Sequence, residues 1–531
     1  MNDSTPARPT NKILNWVEHT GNRLPDPVII FFYLTLFLIG LSVILDFINL
    51  SAQHPTQLDA SGNPSIEHVV SLLSAENIQR LWVEMPKTFT HFHPLGYVLV
   101  VMLGAGVAER SGLFASAIRA ALSNAPRHLL TPFVALIAML SNHAADAGYV
   151  VVIPLAAIVF AAAGRNPLLG IAVAFAGVSG GFSANFAPGQ LDALLFGITE
   201  AAYQSSAIDA GWTMNIAGNW WFISALLMLY IPVIWFVTDR IIEPGLGDWQ
   251  PANEADLESY QNSDAPLTEQ QRKGLRHGGL AMLAVVGLWG AMVFGPGTPL
   301  LNDGPEMQGA AWYSLASPLF KSLVAAFLIL FLAGGWFYGR AAGTINGSQD
   351  LVDMMSEAMK DLGYYLVLAF FAAHFVAMFG WSNLGLITAV HGADAIQSTG
   401  LPLPIVLGLI VLFSALLNLF VGSASAKWAL LAPVLVPMLI LLGVSPDGAT
   451  AAYRVGDSAT NIITPLMVYF PLILVFAQRW QKDFGIGSLT AMMIPYSIWM
   501  LISGTVLMML WIFLEIPLGP GAPADILIPG Q

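Results

Sequence analysis

Apolar residues run along this chain in blocks too long and too continuous for the half-buried elements of a soluble fold. A helix needs about 20 mostly apolar residues to cross the hydrocarbon core of a bilayer. Blocks of that kind lie near 27–47, 93–109, 216–238, 277–296, 319–338, 362–380 and 489–512. Two further blocks, 167–199 and 449–478, are long but interrupted midway, by Gly177-Val-Ser-Gly-Gly-Phe-Ser-Ala-Asn185 and by Arg454-Val-Gly-Asp-Ser-Ala-Thr-Asn461. Two more, 128–163 and 402–444, are apolar arms on either side of a polar tip. The tips read Leu140-Ser-Asn-His-Ala-Ala-Asp146 and Val421-Gly-Ser-Ala-Ser-Ala-Lys-Trp428. The pattern predicts an all-α polytopic membrane protein with nine transmembrane helices, two of them broken, plus two re-entrant hairpins.

The tip and the break recur about 280 residues apart, so the chain reads as two related halves. Irregular backbone at membrane depth is stable only when it is buried in protein or lines a wet cavity. Matching interruptions in two apolar halves therefore point to a transporter's binding region. The expected organisation is an N-terminal segment 1–26, a first membrane half 27–238, an acidic linker 239–276, a second half 277–512 and a tail 513–531.

Lys and Arg fix an expected orientation. Arg110, Arg119, Arg127, Arg165, Arg240, Arg272, Lys273, Arg276, Arg340, Lys360, Arg479 and Lys482 fall on one side, with Arg8, Lys12 and Arg23. Only Arg80 and Lys87 fall in loops on the other. The positive-inside rule places the N-terminus in the cytoplasm and the C-terminus outside. The same layout makes the halves inverted, with the first hairpin entering from the cytoplasm and the second from outside.

Composition sharpens the class. Of 531 residues, 10% are charged and 56% apolar, against about 25% charged in soluble domains. The net charge of −13 says little in such a chain. With no cysteine, thiolate metal sites and disulfides are excluded. There is no Walker A sequence, HExxH or GxGxxG unit, and the histidines are scattered, so neither ATP-driven pumping nor an enzyme is expected. No nucleic-acid partner is expected. A channel would need a polar stripe along several helices, whereas the polar clusters here are confined to two regions.

Charged residues at membrane depth are functional candidates by default. Arg454 and Asp457 are one helical turn apart, so either they pair or Arg454 meets an anionic substrate while Asp457 handles a cation. Asp192, after the first break, is a second candidate for ion coupling; His143 and Asp146 follow it. Ser141, Asn142, Gly181 and Asn185 offer oxygens for a hard cation such as sodium, and Ser423, Ser425, Asp457 and Asn461 are their counterparts. Trp428 at the second tip is a candidate for stacking on an aromatic ligand. Pro446 and Pro465 flank the second break as candidate hinges.

These motifs resemble the p-aminobenzoyl-glutamate transporter (AbgT) family. The likeness runs through Pro25-Asp-Pro-Val28, Ala176–Asn185, Gly422–Trp428, Ala452-Tyr-Arg-Val-Gly-Asp-Ser-Ala-Thr-Asn-Ile-Ile-Thr-Pro465 and Leu518-Gly-Pro-Gly-Ala-Pro523. It implies that Asp192, Trp428, Pro446, Arg454, Asp457 and Pro465 take part in transport. Lys427 departs from the family pattern, in which a neutral polar residue is found. The resemblance further implies a homodimer in a bacterial inner membrane. The implied substrate is a small anionic aromatic one, p-aminobenzoyl-glutamate or a sulfonamide antimetabolite. Arg454, Trp428, Asn185 and Asn461 would bind it and a proton or sodium ion would drive it, inward or outward, with no other cofactor.

Overall fold

The computed structural model describes residues 26–59, 61, 63–122, 129–144, 148–212, 215–246, 267–295, 297–302, 312–464 and 466–526. Arg127, Asp146, Pro465, the basic residues before Pro25 and most of the acidic linker lie outside them.

Among the described residues, nineteen α-helices of nine residues or more carry the architecture. In the first half they are α1 (Pro27–Phe47), α2 (Ala75–Thr90), α3 (His93–Arg110), α4 (Leu113–Leu122), α5 (Leu130–Leu140), α6 (Ile153–Ala162), α7 (Pro167–Phe175), α8 (Gln190–Ser205) and α9 (Trp220–Phe236). In the second half they are α10 (Glu269–Phe294), α11 (Leu323–Ala342), α12 (Ser348–Asp361), α13 (Gly363–Trp381), α14 (Leu384–Ser398), α15 (Leu403–Asn418), α16 (Ala424–Leu441), α17 (Pro446–Thr460), α18 (Phe470–Trp480) and α19 (Ile486–Phe513). Among the described residues, eight helices are long and apolar enough to cross a membrane. Seven coincide with the blocks expected to span without interruption, and the eighth is α16, an arm of 402–444.

The all-α expectation needs one correction. Ser51–Leu58 pairs antiparallel with Pro64–His68 in a two-stranded ribbon, with Ser51 opposite His68. Its polar, Pro-containing sequence carries no alternating apolar face, so the hydropathy pattern could not announce it. The ribbon rests on α14, where His391 Nε2 lies 3.2 Å from the carbonyl of Ser51.

The first small-residue motif interrupts its helix, whereas the second, expected to break the helix over Arg454–Asn461, is helical through Thr460 and the break follows it. α7 loosens into a π-helical turn over Ala176–Gly180, and regular structure resumes only at Gln190. α17 ends at Thr460 and α18 begins at Phe470. In the first polar tip, α5 passes into a 3₁₀ turn over Ser141–Ala144, and a π turn over Gly148–Val152 leads into α6. The second tip is the short loop between α15 and α16, closed by Ser423, whose side chain caps α16 by accepting from Ala426 N.

Two interfaces join these pieces. α15 lies against α17 so closely that a Cβ at Gly456 would meet the Val411 carbonyl oxygen at 2.0 Å, so only glycine fits there. The halves interlock through aromatic pairs: Tyr149 stacks on Tyr469 at 4.2 Å and Phe175 meets Phe470 edge-on. Every described residue of α17 is buried, polar ones included. A helix buried on all sides with Thr, Arg, Asp and Ser along it needs partners from every neighbour.

Candidate functional site

α17 supplies the polar axis of the site, and its neighbours answer it with two ion pairs. Arg454 Nη1 donates to Asp192 Oδ1 at 2.7 Å, and both side chains are buried. Asp192 sits in the first turn of α8, where its second oxygen accepts from the Gly189 amide at 2.7 Å. The pair thus ties the restart of the first broken segment to the middle of the second. The alternative of an Arg454–Asp457 pair is not what forms. Asp457 is taken by Lys427, whose ammonium also bonds Asn418 Oδ1. Neither Lys427 nor Asp457 is more than 2% exposed.

Around the Lys427–Asp457 pair the network is dense. The Asn418 amide nitrogen lies 2.6 Å from the Asp457 carbonyl, 3.0 Å from Thr460 Oγ1 and 2.9 Å from Asn461 Oδ1. The Tyr453 hydroxyl donates to the Ala424 carbonyl and lies 3.3 Å from Asp457 Oδ1. Among the described residues, Asp457 Oδ2 and Arg454 Nε have no hydrogen-bond partner despite their burial. Buried ionic groups left partly unsatisfied are costly, so they are places where a ligand or proton has something to gain.

Trp428 is fully buried, so no ligand reaches its face in this conformation. It stacks on Tyr453, ring centroids 4.5 Å apart, and its Nε1 donates to Thr199 Oγ1 at 2.9 Å. Thr199 in turn meets Thr450 at 2.8 Å. The tip of 402–444 is thereby bolted to α8 and α17 at once.

The first tip makes a separate cluster. Ser141 donates to the Ala138 carbonyl and Asn142 to the Met139 carbonyl. Asn185 reaches the same Met139 carbonyl at 3.5 Å and His143 Nδ1 at 2.7 Å. Gly181 lies so close that a Cβ there would meet the Gly177 carbonyl oxygen at 2.6 Å. Asn142 and Asn185 thus share the Met139 carbonyl and Gly181 faces the Met139 side chain, with Ser141 next to Asn142 in the chain; among the described residues the buried Ser179 and Ser183 hydroxyls have no partner. In the counterpart cluster, Ser423 is 3.3 Å from Ser425 and Asn461 meets Asn418. There, however, the ammonium of Lys427 stands beside Asp457, in the place the sequence reading gives to a metal ion. Among the described residues no three His, Asp or Glu side chains gather as a metal centre. Pro446 is the first residue of α17, a position proline favours.

Hydropathy alone did not reveal Asn418, Thr199 or Tyr453. Asn418 carried the best available signal, as a lone amide ending an apolar arm of 402–444.

Broken helices carrying buried ion pairs, set among apolar helices long enough to span, define a membrane transporter. The family model for the AbgT putative transporter family matches residues 12–526, and the chain belongs to that family. It is 35% identical over 523 residues to the p-aminobenzoyl-glutamate transport protein of Escherichia coli K12, covering 98% of each chain. Two solved structures are each 40% identical to it. The YdaH transporter of Alcanivorax borkumensis, described as having an unusual topology, superposes with a TM-score of 0.84 over 93% of this chain and 100% of its own. MtrF of Neisseria gonorrhoeae, described as illuminating a class of antimetabolite efflux pumps, superposes with a TM-score of 0.87 over 96% and 100%.

Proposed function

We propose that the chain is an ion-coupled secondary transporter of p-aminobenzoyl-glutamate and related aromatic carboxylates, exporting antimetabolites of the sulfonamide type. The observation that carries this reading is the Arg454–Asp192 pair, one charge from each half, buried where both broken segments meet. An anionic substrate would compete with Asp192 for Arg454, and a cation or proton would compete with Arg454 for Asp192. Occupancy of one site then biases the other, and a ligand shifts the equilibrium only by its differential affinity for the two states. Lys427–Asp457 would act likewise at the second tip. Trp428 would accept an aromatic ring once the tip withdraws from Thr199 and Tyr453, with Asn185 and Asn461 lining the route.

The efflux direction is favoured by MtrF, described as illuminating antimetabolite efflux pumps, and the substrate by the Escherichia coli p-aminobenzoyl-glutamate transport protein. Nine spans and two inverted re-entrant hairpins complete the proposal. Length supports the first hairpin: Leu130–Ala144 and Gly148–Ala162 have 15 residues each, about 22 Å of helix against a hydrocarbon core of about 30 Å. In the second, α16 is long enough to span, so that hairpin rests on the one-sided placement of the basic residues. The N-terminus would be cytoplasmic and the C-terminus periplasmic, in a homodimer of a bacterial inner membrane. Uptake and counterflow of labelled p-aminobenzoyl-glutamate in proteoliposomes, with proton and sodium gradients imposed separately, test the function. Absence of substrate exchange by folded protein would overturn it.

A further inference from the structure

A third buried carboxylate lies outside both ion pairs. Asp447 is in the first turn of α17, 3% exposed, and makes no ion pair among the described residues. Trp212 Nε1 donates to its Oδ2 at 2.7 Å, and Asn219 donates to its carbonyl at 3.1 Å. Gly218 passes so near that a Cβ there would sit 2.0 Å from Asp447 Oδ1. A carboxylate enclosed without a counter-cation is stable only with a proton on it or a cation beside it.

Asp447 also shares a cavity with the ion pair. A narrow space with room for a water-sized guest is lined by Asp192, Thr199, Asn215, Asn219, Asp447 and Arg454. Into the same group falls Asn219 Oδ1, an acceptor on a side chain 7% exposed that has no partner. Asp447 and Arg454 are seven residues apart, about 10 Å along one helix face. Helical side chains tilt toward the N-terminus, so the long arm of Arg454 leans toward Asp447. Its Nε is unpartnered.

The geometry points to Asp447 as a proton-exchange site on the side lined by Trp212, Asn219 and the Leu518–Ile526 stretch, whose ionised form competes with Asp192 for Arg454. The reaction is a protonation alone: water outside gives a proton to a carboxylate oxygen of Asp447, and the O–H bond breaks again when the proton leaves. Sodium fits less well, because among the described residues Asn219 Oδ1 is the one lining acceptor left without a partner, too few for a hard cation's shell of about six oxygens, and Arg454 already charges the cavity. The charged groups around Asp447 are Asp192 on α8, Arg454 on its own helix and Asp525 of the tail, which pairs through its backbone with Val444. The first-turn position favours the anion and enclosure favours the neutral acid, so both forms are accessible. The inference rests on the coupled-transport reading and adds where the driving proton enters.

The test uses the full-length protein in proteoliposomes and infrared difference spectra recorded between acidic and neutral pH. Asp447→Asn should remove one carboxylic-acid carbonyl band. It should leave counterflow exchange within about twofold of wild type while proton-driven accumulation falls about tenfold or more. An unchanged spectrum, or proton-driven accumulation equal to wild type, would overturn this proposal and leave the transport reading standing. A wild-type protein that exchanges substrate but ignores proton gradients would overturn the coupling reading and this site together. Should Asp447→Asn fail to fold, Trp212→Phe keeps the carboxyl and removes its donor. The band must then shift, and an unshifted band would overturn the assignment.

Discussion

Arg454 illustrates how a buried charge is priced by what is left behind when its partner goes. Arg454→Ala strands the Asp192 carboxylate in the interior, which costs about 3–5 kcal/mol. Arg454→Met combined with Asp192→Leu removes both charges and should recover most of that loss in thermal unfolding. It should still abolish transport, which separates the stabilising role of the pair from its proposed one. Transport by the folded double variant would show that the pair only holds the fold together. Asp457→Asn strands the Lys427 ammonium in the same way; in the fraction that folds, substrate binding should persist while gradient-driven accumulation disappears. Trp428→Phe keeps the stack on Tyr453 but loses the bond to Thr199, an expected cost of about 1 kcal/mol by thermal unfolding. At this scale the sequence marked the buried charges and left an Arg454–Asp457 pair as one of two alternatives, and the structure pairs each of them elsewhere. The one-turn rule joins Arg454 to Asp457, but α17 is buried on every side, so residues from other elements compete for each charge. Lys427 and Asp192 prevail from elements that sequence spacing does not connect.

The elements themselves were legible wherever apolar length decides. The uninterrupted blocks became helices because lipid-facing and core-facing residues alike must be apolar, so hydropathy carries the whole signal. What hydropathy missed is what it does not encode: the ribbon at Ser51–His68, the mixed helix Ala75–Thr90 with its Glu and Lys, and α14. Arg165 clamps the proposed first hairpin, donating to Glu243, Asp239 and Thr131 and so tying α6 to α5 and to the segment after α9. Because that network makes Arg165 itself a poor place for a probe, exposed Ala162 is the better one. In a chain without cysteine, Ala162→Cys should react with a membrane-impermeant maleimide only from the cytoplasmic side and Ser398→Cys only from outside. Labelling of both from one side would refute the inverted hairpins.

In the molecule as a whole, the two halves meet through charge at a few points and through packed aromatic and small residues elsewhere. Arg454–Asp192 and Trp428–Thr199 both cross from one half to the other by joining α8 to α17 and to the second tip, so moving α8 away from them means breaking both together. In the proposed transport cycle this junction is the two-state element, biased by whatever binds its charges, that coupling requires. The most direct measurement is accumulation of labelled p-aminobenzoyl-glutamate by proteoliposomes under an imposed proton or sodium gradient, comparing wild type with the Arg454→Met, Asp192→Leu double variant. The account predicts that wild type concentrates substrate under one of the two gradients and exchanges it without either, while the folded double variant does neither. Accumulation by the double variant at the wild-type level would contradict it.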